Sequence, residues 1–392
     1  MADSIKKIKL KDGTVRYRTV VDAGTDPATG KRRQLTITRD KKTDVINERA
    51  RIQNQRSTGA LVLPTKTTVD EWLDTWLASA TRDVEAATAA NYHDAVRPVR
   101  THLGKARLQA LTEEDVESLI DWMLTAGRVR GGKPGTGLGI RSVRLTLGRL
   151  RTALNEAVRR GLVVRNVAEH VKIPRAAREA AKQAEEQRTP WTEEEVKVFL
   201  AGVNEDRLYA AMLLLLLGLR PAEVCGLRWA QDFDLEAETI WVQKTRTLVE
   251  GEVIEKDTKS ASGKRKLPLP GVVVDALKAF RTRQKAERLA AGEGYEASGR
   301  VVVDELGRAV KTDWLRRRFY KLSEQTGVRR VRPYDARHAC LTWMASAGVA
   351  DVVVSAWAGH ADLSFTKKVY VHPNEGHLRA GADHMQSVLG SA

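Results

Sequence analysis

The spacing of hydrophobic positions divides the chain into three stretches. In the first, Thr14-Val15-Arg16-Tyr17-Arg18-Thr19-Val20 alternates between apolar and polar, as a half-buried strand does. Gln34-Leu35-Thr36-Ile37-Thr38 alternates again, and the turn cluster Thr25-Asp26-Pro27-Ala28-Thr29-Gly30 lies between the two runs. Together they predict a hairpin. Thr43 to Thr58 then reads as a helix that stops near Gly59. From Thr67 onward the period becomes helical. Thr68-Val69-Asp70-Glu71 has the form of a capping box, in which a hydroxyl and a carboxylate three residues apart satisfy each other's amides. Val69, Trp72, Leu73 and Trp76 then fall on one helical face. Thr88 to His102, Thr112 to Leu124 and Gly139 to Arg160 read as further helices. Arg175 to Arg188 is rich in Ala, Lys, Arg and Glu and suits either a helix or a flexible connection. Thr189-Pro190-Trp191-Thr192-Glu193-Glu194-Glu195 opens the third stretch with another helix start. The expected fold is mainly α with small β-sheets, an α+β chain in the parts 1–63, 64–175, a linker over 176–188, and 189–392.

The longest apolar run, Ala210 to Leu217, falls far short of the ~20 residues a membrane-spanning helix needs, so it reads as a buried core helix. Met1 to Lys7 lacks the apolar stretch of a secretion signal. A net charge of +16 over 392 residues implies a polyanionic partner. The basic residues are spread along the chain rather than gathered beside an apolar segment, which favours nucleic acid over a membrane surface. Cys225 and Cys340 sit in apolar helical patterns and read as reduced core residues of a cytoplasmic protein. Gly127-Arg128-Val129-Arg130-Gly131-Gly132-Lys133-Pro134 approaches a phosphate-loop pattern, but Pro134 stands where a magnesium-binding hydroxyl belongs, and a predicted helix precedes it instead of a strand. It reads as a flexible interhelical loop. His-Glu-x-x-His, paired CxxC and EF-hand patterns do not occur, so no metal or other cofactor is expected.

The chemistry gathers in the last half. Gly218-Leu219-Arg220-Pro221-Ala222-Glu223 closes the leucine run, Tyr334-Asp335-Ala336-Arg337-His338 follows, then Gly359-His360, and Tyr370 stands ten residues later. Two arginines, histidines and a tyrosine in this order suit attack of a phenol oxygen on a DNA phosphodiester. The phosphodiester gathers negative charge on its non-bridging oxygens, and guanidinium forks match those oxygens. Preorganised donors aimed at developing charge are usually the largest catalytic term. A tyrosine nucleophile leaves a phosphotyrosine that divides one hard step into two easier ones. Taken singly, each residue also has a plain structural role: Arg220 as a helix-end charge, His360 as a cap, Tyr370 as a packed ring.

Taken together, the motifs resemble the tyrosine recombinases of the phage-integrase type. Leu217 to Trp229 resembles the family's first arginine box, Tyr334 to His338 the second, and Gly359-His360 with Tyr370 completes the set. The resemblance implies that Arg220, Arg337 and His360 bind the scissile phosphate and that Tyr370 is the nucleophile. Glu223 would be the supporting acid, and His338 a core or supporting histidine. The second box usually reads His-x-x-Arg, whereas Tyr334 stands first here; a phenol can hydrogen-bond a phosphate but does not take a proton near neutral pH. Thr258 to Pro270 looks like the family's lysine-bearing hairpin, with Lys259 favoured as the acid for the departing 5′ oxygen and Lys256, Lys264 and Lys266 as rivals. A solvated basic turn is the alternative reading of that run.

The resemblance also implies an architecture and partners. The first part would be an arm-type DNA-binding domain using Arg16, Arg18, Lys31, Arg32 and Arg33, the second a helical, SAM-like core-binding domain that clamps DNA, and the third the catalytic domain. The implied partners are double-stranded attachment-site DNA, the chain itself as a tetramer on paired sites, a host DNA-bending factor and an excision factor, with a nucleoid-associated location and no membrane. The competing readings are a strand transferase like the type IB topoisomerases, which acts as a monomer, and a catalytically inactive DNA-binding regulator.

Overall fold

The computed structural model describes residues 5–10, 13–25, 32–58, 61–129, 131–187, 189–249, 251–257 and 263–360. The chain divides into two compact units, Met1–Gln187 and Arg188–Ala392.

The first unit opens with a three-stranded antiparallel sheet, β1 (Lys6–Lys9), β2 (Val15–Thr25) and β3 (Arg32–Arg39), followed by α1 (Lys42–Ser57). The expected hairpin is therefore one strand short. Lysines flank Ile8 on β1 and hide its alternation, yet Lys6 to Lys9 pair in register with Arg18 to Val15. Val21 and Ile37 on one face of the sheet and Val45 and Ile52 of α1 form a small buried cluster. Arg16 and Arg18 lie on the opposite, solvent face.

The helical part comprises α2 (Val69–Ala80), α3 (Ala86–Leu103), α4 (Glu113–Thr125), α5 (Ile140–Arg159) and α6 (Arg175–Glu186). The capping box predicted at Thr68 and Glu71 is present, and Thr112 and Asp115 make a second. Val69, Trp72, Leu73 and Trp76 are all buried. The Trp72 indole also donates to the Ala153 carbonyl on α5 at 3.0 Å, so its polar edge is satisfied inside the core. The loop at 127–134, expected to be flexible, is laced by Arg128, which donates to Thr136, Gly131 O and Gly137 O. The stretch after Arg175 is helical, with none of its residues buried.

The second unit runs α7 (Glu193–Val203), α8 (Tyr209–Leu216), α9 (Pro221–Val224), α10 (Trp229–Asp232), β4 (Phe233–Asp234), β5 (Thr239–Val242), β6 (Lys244–Val249), β7 (Glu252–Asp257), β8 (Arg265–Pro268), α11 (Gly271–Ala291), α12 (Thr312–Gln325), α13 (Pro333–Ser346) and α14 (Asp351–Ala358). Residues 210–216 of α8 are all buried, as the leucine run predicts, and the core forms around them. The lysine-bearing run differs from its expected form. β6 pairs with β7 before that run begins, and β8 joins β5 and β4 in a separate sheet, so Arg265 to Pro268 do not close a hairpin with β7. The cause is visible in the burial of Arg265, Leu267 and Leu269 against exposed Lys266 and Pro268: the inward set of β8 belongs to the core face.

Trp191 ties the start of this unit to the helix that carries Arg337. Its indole donates to the Arg329 carbonyl, just before α13, at 2.6 Å, and its ring packs on Phe199 and Phe319. Arg329 returns its guanidinium to Thr189 O, Pro190 O and Glu195. Trp191→Ala leaves a cavity in this cluster and should cost about 3–5 kcal/mol, the usual loss for a buried large aromatic residue. The check is urea denaturation followed by circular dichroism.

Candidate active site

Four chain segments of the second unit converge. The first is the exit of α8. Gly218, at φ +95, turns the chain in a conformation that L side chains rarely adopt, and a β-carbon there would lie 3.3 Å from the Cys340 sulfur. The turn aims the Gly218 carbonyl at Arg337 and sets Arg220 as the N-cap of α9, with Pro221 in the first helical position. Glu223, one turn later and fully buried, accepts the Arg220 backbone N–H at 2.8 Å and the Arg220 Nη1 at 2.8 Å. The Arg220 side chain remains 30% exposed, and its Nε and Nη2 have no hydrogen-bond partner among the described residues.

The second segment is β8. Arg265 grips Glu223 with both ends of its fork, Nη1 to Oε1 at 3.0 Å and Nη2 to Oε2 at 3.0 Å. It also donates from Nε to Trp357 O at 2.7 Å and from Nη1 to Gly263 O at 3.1 Å.

The third segment is α13. Arg337, with no solvent exposure, donates to Gly218 O at 2.7 Å, to Ala358 O and to His360 Nε2 at 3.3 Å. Its Nε is buried with no hydrogen-bond partner among the described residues. The fourth is the end of α14. Gly359 sits in the left-handed region at φ 63 and closes the helix, and the His360 amide donates back to Ser355 O at 3.1 Å. This closure presents the Ala358 carbonyl to Arg337 and, at 3.5 Å, to Arg220.

The charges do not balance. Among the described residues, three guanidiniums surround one carboxylate. Burial by itself would raise the Glu223 carboxyl, but the hydrogen bonds and charge of Arg265, with the charge of Arg220, hold it below its ordinary value. Burial and the nearby Arg220 pull Arg337 down to about 10. Burial, then Arg337 and Arg220, push His360 down to about 4. His360 is therefore neutral at pH 7. With Arg337 donating to Nε2, its ring proton sits on Nδ1. An excess of fixed donors in a partly dry pocket suits an anion with two or more acceptor oxygens.

Of the residues named from sequence, Arg220, Glu223, Arg337 and His360 thus come together. Tyr334 is half exposed, and its ring meets His338 edge-on at 5.1 Å. His338 is partly buried on the same helix. Among the lysine rivals, Lys264 pairs with Asp257 at 2.6 Å, Lys256 lies on β7, and Lys266 points to solvent from β8. Lys259 and Tyr370 lie outside the described residues, as does Lys31. On the N-terminal sheet, Arg16 pairs with Asp40 at 2.8 Å, Arg32 pairs with Asp22 at 3.1 Å, Arg18 donates to Thr38 at 3.3 Å, and Arg33 is exposed. Both cysteines are buried free thiols, pushed by burial to about 12 for Cys225 and about 11 for Cys340. Among the described residues no group of three metal-ligating side chains occurs, and no helix is long and apolar enough to cross a membrane.

Sequence reasoning passed over Arg265. The alternation Arg265-Lys266-Leu267-Pro268-Leu269 contains the signal, because an arginine in phase with two core leucines must find a buried partner.

Residues 191–377 match the sequence profile described as the phage integrase family, and residues 68–173 match the phage integrase SAM-like domain. A tyrosine recombinase XerC-like protein of Caldanaerobacter subterraneus subsp. tengcongensis is 30% identical over 57% of this chain, and the match spans 60% of that protein's own length. An integrase of Streptomyces ambofaciens is 25% identical over 95% of this chain and 94% of its own. In fold, the chain is similar to the Tn1549 transposon integrase solved with a circular intermediate DNA (TM-score 0.64, 19% identity, 81% of this chain and 99% of that one). It is also similar to a lambda integrase dimer on a core site (TM-score 0.53, 16% identity, 94% of this chain and 95% of that one).

His360 supplies a pH test of this geometry. Its value in the folded chain lies near 4 against an ordinary 6.5, so between those values the unfolded chain binds more protons. The stability it contributes is complete above pH 6.5 and falls as the pH drops toward 4. In an NMR titration of the free protein, the His360 ring should titrate well below the ordinary histidine range. A midpoint near 6.5 would contradict the placement between Arg337 and Arg220.

Proposed function

We propose that this chain, which belongs to the phage integrase family, is a site-specific DNA recombinase that cuts and rejoins strands through a covalent 3′-phosphotyrosine. The observation that carries the proposal is the convergence of Arg220, Arg337 and His360 around Glu223, with more positive than negative charge. In this reading Arg220 and Arg337 hold the non-bridging oxygens of the scissile phosphate as charge builds on them. His360 adds a third donor. Glu223 fixes the arm of Arg220. Burial, then the Arg337 and Arg220 charges, keep His360 neutral, and a phosphate anion brought into the pocket offsets those charges, so DNA binding raises its proton affinity.

The Tyr370 oxygen attacks phosphorus, and its proton passes to solvent water. The bond to the 5′ oxygen breaks, and that oxygen takes a proton from the lysine run, with Lys259 the favoured donor. Reversal with a second 5′ hydroxyl restores the phosphodiester, so the energy of the broken bond is kept. No metal or nucleotide enters the scheme. Tyr334 takes the place of the usual histidine in the second box and serves as a hydrogen-bond donor. Residues 1–63 bind arm sites, residues 64–175 clamp the core site, residues 176–188 link them to the catalytic part, and a tetramer assembles on two paired duplexes. The Tn1549 and lambda integrases, solved with DNA and in one case as a tetramer on a Holliday junction, support that assembly. A DNA-bending host protein and an excision factor complete the partners, and the enzyme works at the nucleoid.

Tyr370→Phe should keep DNA binding and abolish the covalent adduct on nicked attachment-site DNA in excess EDTA. A trapped peptide containing Tyr334 or Tyr320, or a strict magnesium requirement, would refute the assignment. A second test separates an integrase from a topoisomerase-like enzyme. Deleting residues 1–63 should leave half-site cleavage intact and abolish recombination between two attachment sites. Arm-site affinity of the intact protein should fall with salt at a logarithmic slope of about −0.9 per neutralised phosphate. Unimpaired recombination by the truncated protein would remove the arm role.

A further inference from the structure

Arg265 faces the same carboxylate as Arg220, but the two arginines are built differently. Arg265 is 8% exposed and spends four of its N–H groups inside the protein, on the two oxygens of Glu223, on Trp357 O and on Gly263 O. Both ends of its fork are committed to Glu223, which sets it apart from Arg337, whose partners are the Gly218 and Ala358 carbonyls and His360. Arg220 gives Glu223 one guanidinium nitrogen and keeps the rest of its fork on the open side.

We infer that Arg265 is a positioning residue for the recombination chemistry: by saturating Glu223 it keeps the Arg220 fork free for the scissile phosphate. The inference rests on the reading given under Proposed function. Its physical basis is competition for one buried carboxylate. An ionised Glu223 without solvent needs several charge-assisted donors. Arg265 supplies two, and the Arg220 amide and Nη1 supply the others. Remove the Arg265 fork, and the nearest replacement cation is Arg220 itself, which closes onto Glu223 with both ends and turns away from the phosphate. The same guanidinium anchors Trp357 O, one residue before the Ala358 carbonyl that Arg337 uses. Arg265 therefore holds the two phosphate-binding arginines in register from beneath, without touching DNA.

The test uses the full-length protein and its variants Arg265→Lys and Arg265→Gln. Each is given half-site DNA with either an ordinary phosphodiester or a methylphosphonate at the scissile position. The methylphosphonate carries no negative charge there, so its cleavage depends far less on anion-binding arginines. On the phosphodiester, adduct formation at saturating protein should slow roughly 10²-fold, the scale for a misplaced catalytic group. DNA affinity, spread over many phosphate contacts, should change little. On the methylphosphonate, most of that loss should disappear. Equal loss on both substrates, or no loss on either, overturns the inference. Loss of the far-UV circular dichroism spectrum in both variants assigns Arg265 to stability alone and overturns it as well. Failure of the unaltered protein to form any adduct on the phosphodiester overturns the underlying functional reading instead.

Discussion

A carboxylate with no access to water dictates how the catalytic half of this protein is put together. Glu223 lies on a helix of only four residues, too short to hold a fixed orientation by itself. Its two oxygens receive donors from the chain just before it and from a strand distant in sequence. Those bonds fasten α9 to β8. Through Trp357 they reach α14, and through Ala358 they reach the arginine of α13. Elements that also meet in the main core, through Val224, Leu267 and Ala336, are thereby joined a second time around a single charge. Breaking such a pair from one side is far costlier than its net contribution suggests, because the remaining charge stays buried.

The surplus of guanidinium over carboxylate has a second effect. Electrostatic repulsion among Arg220, Arg265 and Arg337 raises the energy of the free protein, and burial adds to it by pulling Arg337 well below its ordinary range. Strain of this kind is tolerated where the surroundings over-determine the geometry, and it turns into affinity when an anion arrives. The leucine-rich α8 supplies that rigidity. It is buried from Ala210 to Leu216 and places Gly218 and Arg220 just past its end.

Much of this could be read from the letters alone, for reasons that differ by residue. Arg220 and Glu223 were legible because Leu217 to Trp229 resembles the first arginine box of the tyrosine recombinases. Gly359 and His360 were legible because the pair, with Tyr370 ten residues on, completes the resemblance to that family. The four apolar positions of α2 followed from periodicity. Arg265 was not legible as an actor, since its charge suggested solvent while its phase within β8 placed it inside. β1 was missed because lysines obscured the two-residue period around Ile8. The strand pairing around the lysine run was misjudged because alternation identifies a strand and its buried face but not its neighbour. Which lysine acts, and where Tyr370 lies, belong to segments outside the described residues.

Two of the three acceptors that hold Arg337 among the described residues are main-chain oxygens, those of Gly218 and Ala358. Every residue type carries that oxygen, so replacing the side chain at either position cannot delete it. The grip can be lost only by changes that move the backbone, and Gly218 is the vulnerable point because its turn excludes a β-carbon. The anchor of the most deeply buried arginine therefore presents a small mutational target. Its neighbours are free to drift, which suits a chain similar in fold to solved structures at 16–19% identity.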